Sequence, residues 1–168
     1  TDAVLDFFVA APGSGLSRAQ PTELETVDVP FGSGDTTQRF LIGPASCAVP
    51  GMVAGLVDAH RRYATRPWPA LLAPAIHHAR VGVSLNADQA LLHAILDPVL
   101  RHEPDGRRAY GSSGPLLAGH RLVLADLART LEALAEDPFT LYRGSLAREI
   151  AAAVQERGGR ITQADLAE

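Results

Sequence analysis

The stretch Gly43-Pro44-Ala45-Ser46-Cys47-Ala48-Val49-Pro50-Gly51-Met52-Val53-Ala54-Gly55-Leu56 decides the fold, because the pattern of the chain changes inside it. Beyond Pro50 the apolar positions stop alternating. Val53, Leu56, Val57, His60 and Ala64 recur at helical spacing, one stripe that wants burial. Pro50 or Gly51 suits a helix entry, where a missing N–H costs nothing. Pro67-Trp68-Pro69 closes the segment, and Pro69 is able to open the next.

Downstream the helical pattern continues to the end. Ala70–Arg80 carries Leu71, Leu72, Ile76 and Ala79, with Pro74 interrupting it, so one helix and two short pieces are equally expected. Asn86-Ala87-Asp88-Gln89 reads as a cap with a return partner three residues on, leading into Leu91, Leu92, Ile95 and Leu96. The Gly- and Pro-rich stretch His102–Gly119 predicts a surface loop with room for a short hairpin. Asp126–Ala135 is amphipathic through Leu127, Leu131 and Leu134. In Ser145–Arg157, Leu146, Ile150 and Val154 repeat every four; Gly158 stops the helix, and Thr162-Gln163-Ala164-Asp165 caps another.

Upstream, Ala3-Val4-Leu5-Asp6-Phe7-Phe8-Val9 alternates loosely and suits a strand, broken by Ala11-Pro12-Gly13-Ser14-Gly15. Between Leu16 and Gly43 the pattern is weak, with short strands or loop expected near Val27–Phe31 and Gln38–Ile42. The expectation is an α+β chain, strand and loop over residues 1–43 and helical over 44–168, with no internal repeat.

Composition limits what such a chain does. Its 168 residues are 46% apolar, enough for one domain or a piece of one. All 15 positive charges are arginine, and 19 acids leave a net charge of −4, which disfavours a nucleic-acid partner. No apolar run approaches the roughly 18–20 residues of a membrane span. The lone Cys47 has no partner for an internal disulfide. The sequence opens at Thr1 without a Met and stops just after a helix start, so a piece of a longer polypeptide is expected, with part of the chemistry outside it. Neither the charged nor the apolar segment of a signal peptide occurs in it, and the compartment stays open.

The residue types alone assemble no complete active site. His77 and His78 are adjacent and point about 100° apart on a helix; His60, His93, His102 and His120 show no ligand spacing, so no metal is expected. Gly13-Ser14-Gly15 and Gly32-Ser33-Gly34 lack the lysine of a phosphate loop, and no cofactor is expected. Ser112-Ser113, between two glycines, reads as a turn. Cys47 reads as a small buried hydrophobe rather than a nucleophile. Thr1 has the chemistry of an amino-terminal nucleophile but nothing supporting it. Asp6, expected to be buried in the strand, stays open between a functional carboxylate and a capping one.

Three ordered blocks resemble the large chain of the gamma-glutamyltranspeptidase family. The first is Gly43–Leu56, similar to its Pro-Gly-x-Val-x-Gly segment. The second, Pro67-Trp68-Pro69-Ala70-Leu71-Leu72-Ala73-Pro74-Ala75-Ile76-His77-His78-Ala79-Arg80-Val81-Gly82, resembles its Pro-Ala-Ile-x-x-Ala-x-x-Gly block. The third runs from Gly119 through Asp126-Leu127-Ala128-Arg129-Thr130-Leu131 and Phe139-Thr140-Leu141-Tyr142-Arg143-Gly144 to Gly158-Gly159-Arg160-Ile161-Thr162-Gln163-Ala164-Asp165-Leu166-Ala167. The resemblance implies an amino-terminal-nucleophile hydrolase of αββα architecture, made as a precursor that cuts itself into large and small chains. A threonine at the start of the small chain attacks a gamma-glutamyl carbonyl, and the acyl-enzyme passes its acyl group to water or an amine. Residues 1–168 then belong to the large chain; the partners are the small chain and a small-molecule acyl donor, and no catalytic residue falls in this segment.

One departure from the family pattern is informative. The family's strand reads Asp-Phe-Arg-Glu before Ala-Pro, and its arginine grips the alpha-carboxylate of the glutamyl donor. Here Asp6-Phe7-Phe8-Val9-Ala10-Ala11-Pro12 puts Phe8 at the arginine's place. Phenylalanine cannot imitate a bidentate, charge-assisted fork, and an unpaired buried carboxylate costs about 2–5 kcal/mol. A different acyl group is therefore expected, as in cephalosporin acylases, unless Arg18 or Arg39 supplies the charge from a shifted loop. The reading from another class is a helical interaction domain that kept the scaffold and lost the chemistry.

Overall fold

The computed structural model describes residues 4–16, 24–32 and 36–168. In chain order the strands are β1 (Val9–Ala10), β2 (Glu25–Phe31), β3 (Thr36–Ile42), β4 (Val49–Pro50), β5 (Val83–Ser84) and β6 (Arg121–Leu122). The helices are α1 (Met52–Tyr63), α2 (Trp68–Val81), α3 (Ala87–Leu100), α4 (Pro104–Tyr110), α5 (Ala125–Glu136), α6 (Thr140–Arg143), α7 (Ser145–Glu156) and α8 (Gln163–Ala167). The chain is α+β and mostly helical. It divides into two compact units: Thr1–Leu24, Gly43–Ala73 and Thr130–Glu168 form one, and Glu25–Ile42 with Pro74–Arg129 the other.

In the first unit β1 pairs antiparallel with β4, Val9 opposite Pro50 and Ala10 opposite Val49. Of the strand expected over residues 3–9, residue 3 lies outside the described residues and only Val9 is paired, because the partner β4 gives way to α1 at Met52, two residues after Pro50; Phe8 adds one bond, its carbonyl accepting the Gly51 N–H at 3.2 Å. The core gathers Val49, Ala147, Ala151, Ile161 and Leu166, with Ile150 and Val154 packed on it. The fourfold repeat expected in α7 is present, but the fully buried line runs one residue on, through Ala147 and Ala151. The two alanines let the helix backbone approach the core closely, while Leu146, Ile150 and Val154 flank the contact half-buried. In α1, Gly55 and Val57 are buried, Val53 and His60 are half-buried, and Leu56 and Ala64 are exposed, so only part of the expected stripe faces inward. Trp68 Nε1–H donates to the Leu134 carbonyl at 2.8 Å, satisfying the one polar atom of a large ring.

In the second unit β2 and β3 form a seven-residue antiparallel hairpin, from Glu25 opposite Ile42 to Phe31 opposite Thr36. Val27 and Val29 point inward with period two, and α3 packs against β2. Helix α3 starts on the expected cap: Asn86 accepts from Gln89 N–H, and Gln89 returns the bond to the Asn86 N–H. Leu91 and Leu92, by contrast, stay exposed. Pro74 lies inside α2 without splitting it.

The stretch expected as loop over His102–Gly119 contains α4. Pro104 takes the first helical turn, Asp105 stands at the positive end of the helix dipole, and Arg107 and Arg108 stand at the negative end. Gly106 marks close packing rather than a turn, since a Cβ there would run into the Leu100 carbonyl. In α5, Ala128 and Leu134 are buried, whereas Leu127 is turned out.

Candidate functional site

The first unit holds a cleft of about 590 Å³. One wall is the segment Leu5–Ala11; the others come from Val49–Gly51, the first half of α1, Phe139–Arg143, and Asp165–Glu168. Phe8 lies on this wall and is 76% exposed. Its neighbour Phe7 also lines the cleft and lies against α1, where its ring occupies the space a Gly55 Cβ would need. Gly51 is tight as well: a Cβ there would lie 2.6 Å from the Phe7 carbonyl oxygen. These two glycines are what let residues 7 and 8 lie against the helix start.

The opposite wall is fixed by two polar devices. Tyr142, 8% exposed, accepts the Ala54 N–H at 2.9 Å and so satisfies a donor left open in the first turn of α1. Asp165, also 8% exposed, accepts from the N–H groups of Gly13 (2.9 Å), Ser14 (2.6 Å) and Thr162 (2.7 Å), and from the Thr162 hydroxyl (2.8 Å). Burial by itself pushes the Asp165 carboxyl up; the donors of Ser14, Gly13 and Thr162 outweigh it and hold it below its ordinary value. Asp6, Asp58, Asp165 and Glu168 line the cleft, and Arg143 is the one arginine among the described lining residues.

The other sequence candidates are placed as follows. Asp6 is exposed rather than buried, and its carboxylate accepts only weakly from the Phe8 N–H, at 3.4 Å. Cys47 is also exposed, against the expectation of a buried hydrophobe: it follows the 3₁₀ turn Pro44–Ser46, where its N–H donates to the Pro44 carbonyl and its thiol lies 3.8 Å from the Gly43 carbonyl. Ser112 and Ser113 form an exposed bend after Gly111, which has φ 103°. Thr1, Arg18, Ser33 and Gly34 lie outside the described residues. Arg39 belongs to the second unit, where it forks onto Asp28 across the hairpin (2.8 and 3.1 Å) and holds that carboxyl below its ordinary value.

The histidines are mostly accounted for by neighbours. His60 Nε2 bonds the Arg66 carbonyl at 2.8 Å and stands edge-on to Trp68; His120 Nδ1 accepts the Leu117 N–H at 3.1 Å. His77 and His78 are exposed side by side, and His93 tilts against Tyr110. His102 is the surprise: it meets Glu25, 77 residues away, at 3.1 Å, and with Glu103 it offers three ligand atoms within 4.8 Å of one another at the surface. No local spacing signals that group.

The gamma-glutamyltranspeptidase family model matches residues 21–168. The chain belongs to the gamma-glutamyltranspeptidase family. A glutathione hydrolase proenzyme of Pseudomonas aeruginosa is 37% identical over 130 residues, 76% of this chain and 23% of the relative. Acylase ACY 1 proenzyme of a Pseudomonas species (strain SE83) is 32% identical over 168 residues, 98% of this chain and 29% of the relative. Among solved structures, a gamma-glutamyltranspeptidase from Pseudomonas nitroreducens, complexed with L-DON, superposes with a TM-score of 0.72 at 26% identity, covering 97% of this chain and 46% of that one. The chain thus spans less than a third of the length of these curated relatives, and it is the mostly helical α+β segment of their amino-terminal-nucleophile hydrolase fold.

Proposed function

We propose that the complete protein is a self-processing acyl-transfer enzyme of the gamma-glutamyltransferase type, and that residues 1–168 are part of its large chain. A threonine at the start of the small chain attacks the donor's carbonyl through its hydroxyl oxygen while its own amine takes the proton. The amide C–N bond breaks, the leaving amine takes up that proton, and water or a second amine accepts the acyl group from the resulting ester. Fixed N–H donors on the oxyanion lower the barrier to both steps. This chain's share is the cleft that receives the acyl group, and the threonine lies beyond it.

We further propose that Phe8 turns the donor preference away from the gamma-glutamyl group. The observation that carries this is Phe8 itself, exposed on the cleft wall, at the position that the motif resemblance assigns to the family's carboxylate-binding arginine. An apolar acyl chain gains from covering that ring, whereas a donor carboxylate facing it forfeits its partner. That relatives carry the names of both a glutathione hydrolase and an acylase is consistent with either end of this range.

The test uses the full-length precursor. Two bands on a denaturing gel are expected after maturation; a single unprocessed band favours the interaction-domain reading. With matched anilides, an apolar acyl donor is expected to outperform the gamma-glutamyl one. Phe8→Arg is expected to raise kcat/KM for the glutamyl anilide at least about tenfold while lowering it for the apolar one. Brisk, saturable wild-type turnover at micromolar glutamyl donor overturns the specificity proposal. A second reading rests on Arg143, the arginine of the same cleft. Should it grip the donor carboxylate instead, Arg143→Met abolishes glutamyl turnover and Phe8→Arg changes little.

A further inference from the structure

We infer that Asp165 is a positioning residue for the acyl-binding wall: its carboxylate, reached from the far end of the chain, holds the segment that carries Phe8. The kinetic part of this inference rests on the acyl-transfer reading above; the structural part does not.

The segment Leu5–Ser14 needs two anchors. Its near end is fastened at Phe7 and Phe8, where the Gly51 N–H reaches the Phe8 carbonyl and the Phe7 ring seats on Gly55. The ladder that follows is two residues long, and one partner, Pro50, has no N–H to give. So short a pairing leaves the tilt of the wall poorly determined.

The far end supplies the missing constraint. Gly13, at φ 122°, turns its own amide and that of Ser14 toward one carboxylate. Asp165 Oδ1 takes both, and Oδ2 stands 3.0 Å from the Gly13 N–H. The Thr162 hydroxyl lies 3.1 Å from the Ser14 carbonyl and 2.8 Å from Asp165 Oδ2, with one proton to give between them. Ser14 Oγ–H reaches Glu168 at 2.7 Å. The face beside Gly13 is closed: a Cβ there would meet the Arg160 guanidinium at 2.7 Å.

A helix cap asks less than this. Thr162 and Asp165 exchange the bonds of a capping box at the start of α8, and those local bonds suffice to begin the helix. The additional bonds to Gly13 and Ser14 span 152 and 151 residues and do nothing for α8. Their effect falls on the wall, because residues 13 and 14 end the segment on which Phe8 sits, and Asp165 itself lines the cleft.

The test compares wild type, Asp165→Asn and Asp165→Glu in the full-length processed enzyme. Asparagine keeps the shape but must present an NH₂ where an oxygen now accepts. Hydrogen–deuterium exchange read by mass spectrometry is expected to show at least about tenfold faster exchange in residues 5–14 of Asp165→Asn, with little change in α7. For the better of the two anilides, KM is expected to rise about tenfold with kcat within about threefold. Asn86→Ala, which removes the α3 cap, serves as the control for a merely destabilised protein and is expected to leave both readouts in place. In a Phe8→Ala background the effect of Asp165→Asn on KM is expected to shrink toward onefold, since the wall no longer offers the ring.

Unchanged exchange in residues 5–14 overturns the clamp. Faster exchange with an unchanged KM, or additive effects of Phe8→Ala and Asp165→Asn, overturns its link to acyl binding. If Asp165→Asn fails to mature, Asp165→Glu carries the same readouts, and failure of both reduces Asp165 to a folding residue and ends the proposal. A wild type that prefers the glutamyl donor sinks the Phe8 specificity reading alone, because the exchange experiment and the KM comparison are then read with that donor.

Discussion

At the scale of single residues, Gly55 and Phe7 set the tightest tolerance in the cleft. A methyl group at position 55 has no room beside the Phe7 side chain, whose Cβ it would overlap as well as the ring, so the backbone of residue 7 would have to shift with the ring. Gly55→Ala is therefore expected to destabilise the full-length protein by about 1–3 kcal/mol through overpacking, despite the better helix propensity of alanine. Thermal melting checks this, and a stability equal to or above wild type contradicts it. Asp165 makes a pH prediction of definite sign. Its folded pKa lies below the unfolded one, so the contribution of its bonds is complete above the ordinary aspartate range and fades as pH falls through the folded value. The difference in Tm between wild type and Asp165→Asn is expected to be widest near neutrality and to close on acidification. The cap of Thr162 and Asp165 was legible in the sequence because its bonds are local. The grip on Gly13 and Ser14 was not, since nothing in the spelling of residues 162–165 names a partner so distant. Phe8 was visible only as a departure within a motif, and its exposure came from the fold.

Secondary-structure elements were read well where short-range chemistry decides them. The Asn86–Gln89 box announced α3, and Asn86→Ala is expected to cost about 1 kcal/mol, read as a fall in midpoint with an unchanged m-value in urea unfolding. Over β2 and β3 the weak alternation leaves strand and loop both open, and the hairpin forms because Val27 and Val29 are buried while Phe40 and Ile42 are half-buried on the paired strand. Misreadings share one cause, which is that tertiary contact assigns a residue a different role from its habit. Gly106 looked like loop punctuation and is required by the Leu100 carbonyl. The leucines of α3 and α5 looked like core, yet Leu91, Leu92 and Leu127 face outward while Ala128 takes the inner position. In α7 the alanines beat the larger residues to the core for the same reason: close approach of backbones needs small side chains.

For the molecule as a whole, the balance of buried and exposed apolar surface carries the last prediction. Described core positions are filled largely by alanine and valine, and the largest side chain less than 2% exposed is Val29. Small side chains remove little area from water, and each contributes correspondingly little. Meanwhile Val4, Phe8, Val9, Met52 and Tyr63 of the first unit stand more than half exposed, as do Leu41, Leu91, Leu92 and Leu117 of the second. Surface of this kind wants a cover. In the curated relatives the corresponding stretch is 23–29% of a longer proenzyme, so most of their chain is available to provide one. Residues 1–168 expressed alone are therefore expected to bind an apolar dye, to self-associate on size exclusion, and to melt broadly. The processed full-length protein is expected to do none of these. A sharp, cooperative, monomeric transition of the isolated segment would show that its two units bury enough by themselves, and would remove the reason for assigning these faces to the remainder of the precursor.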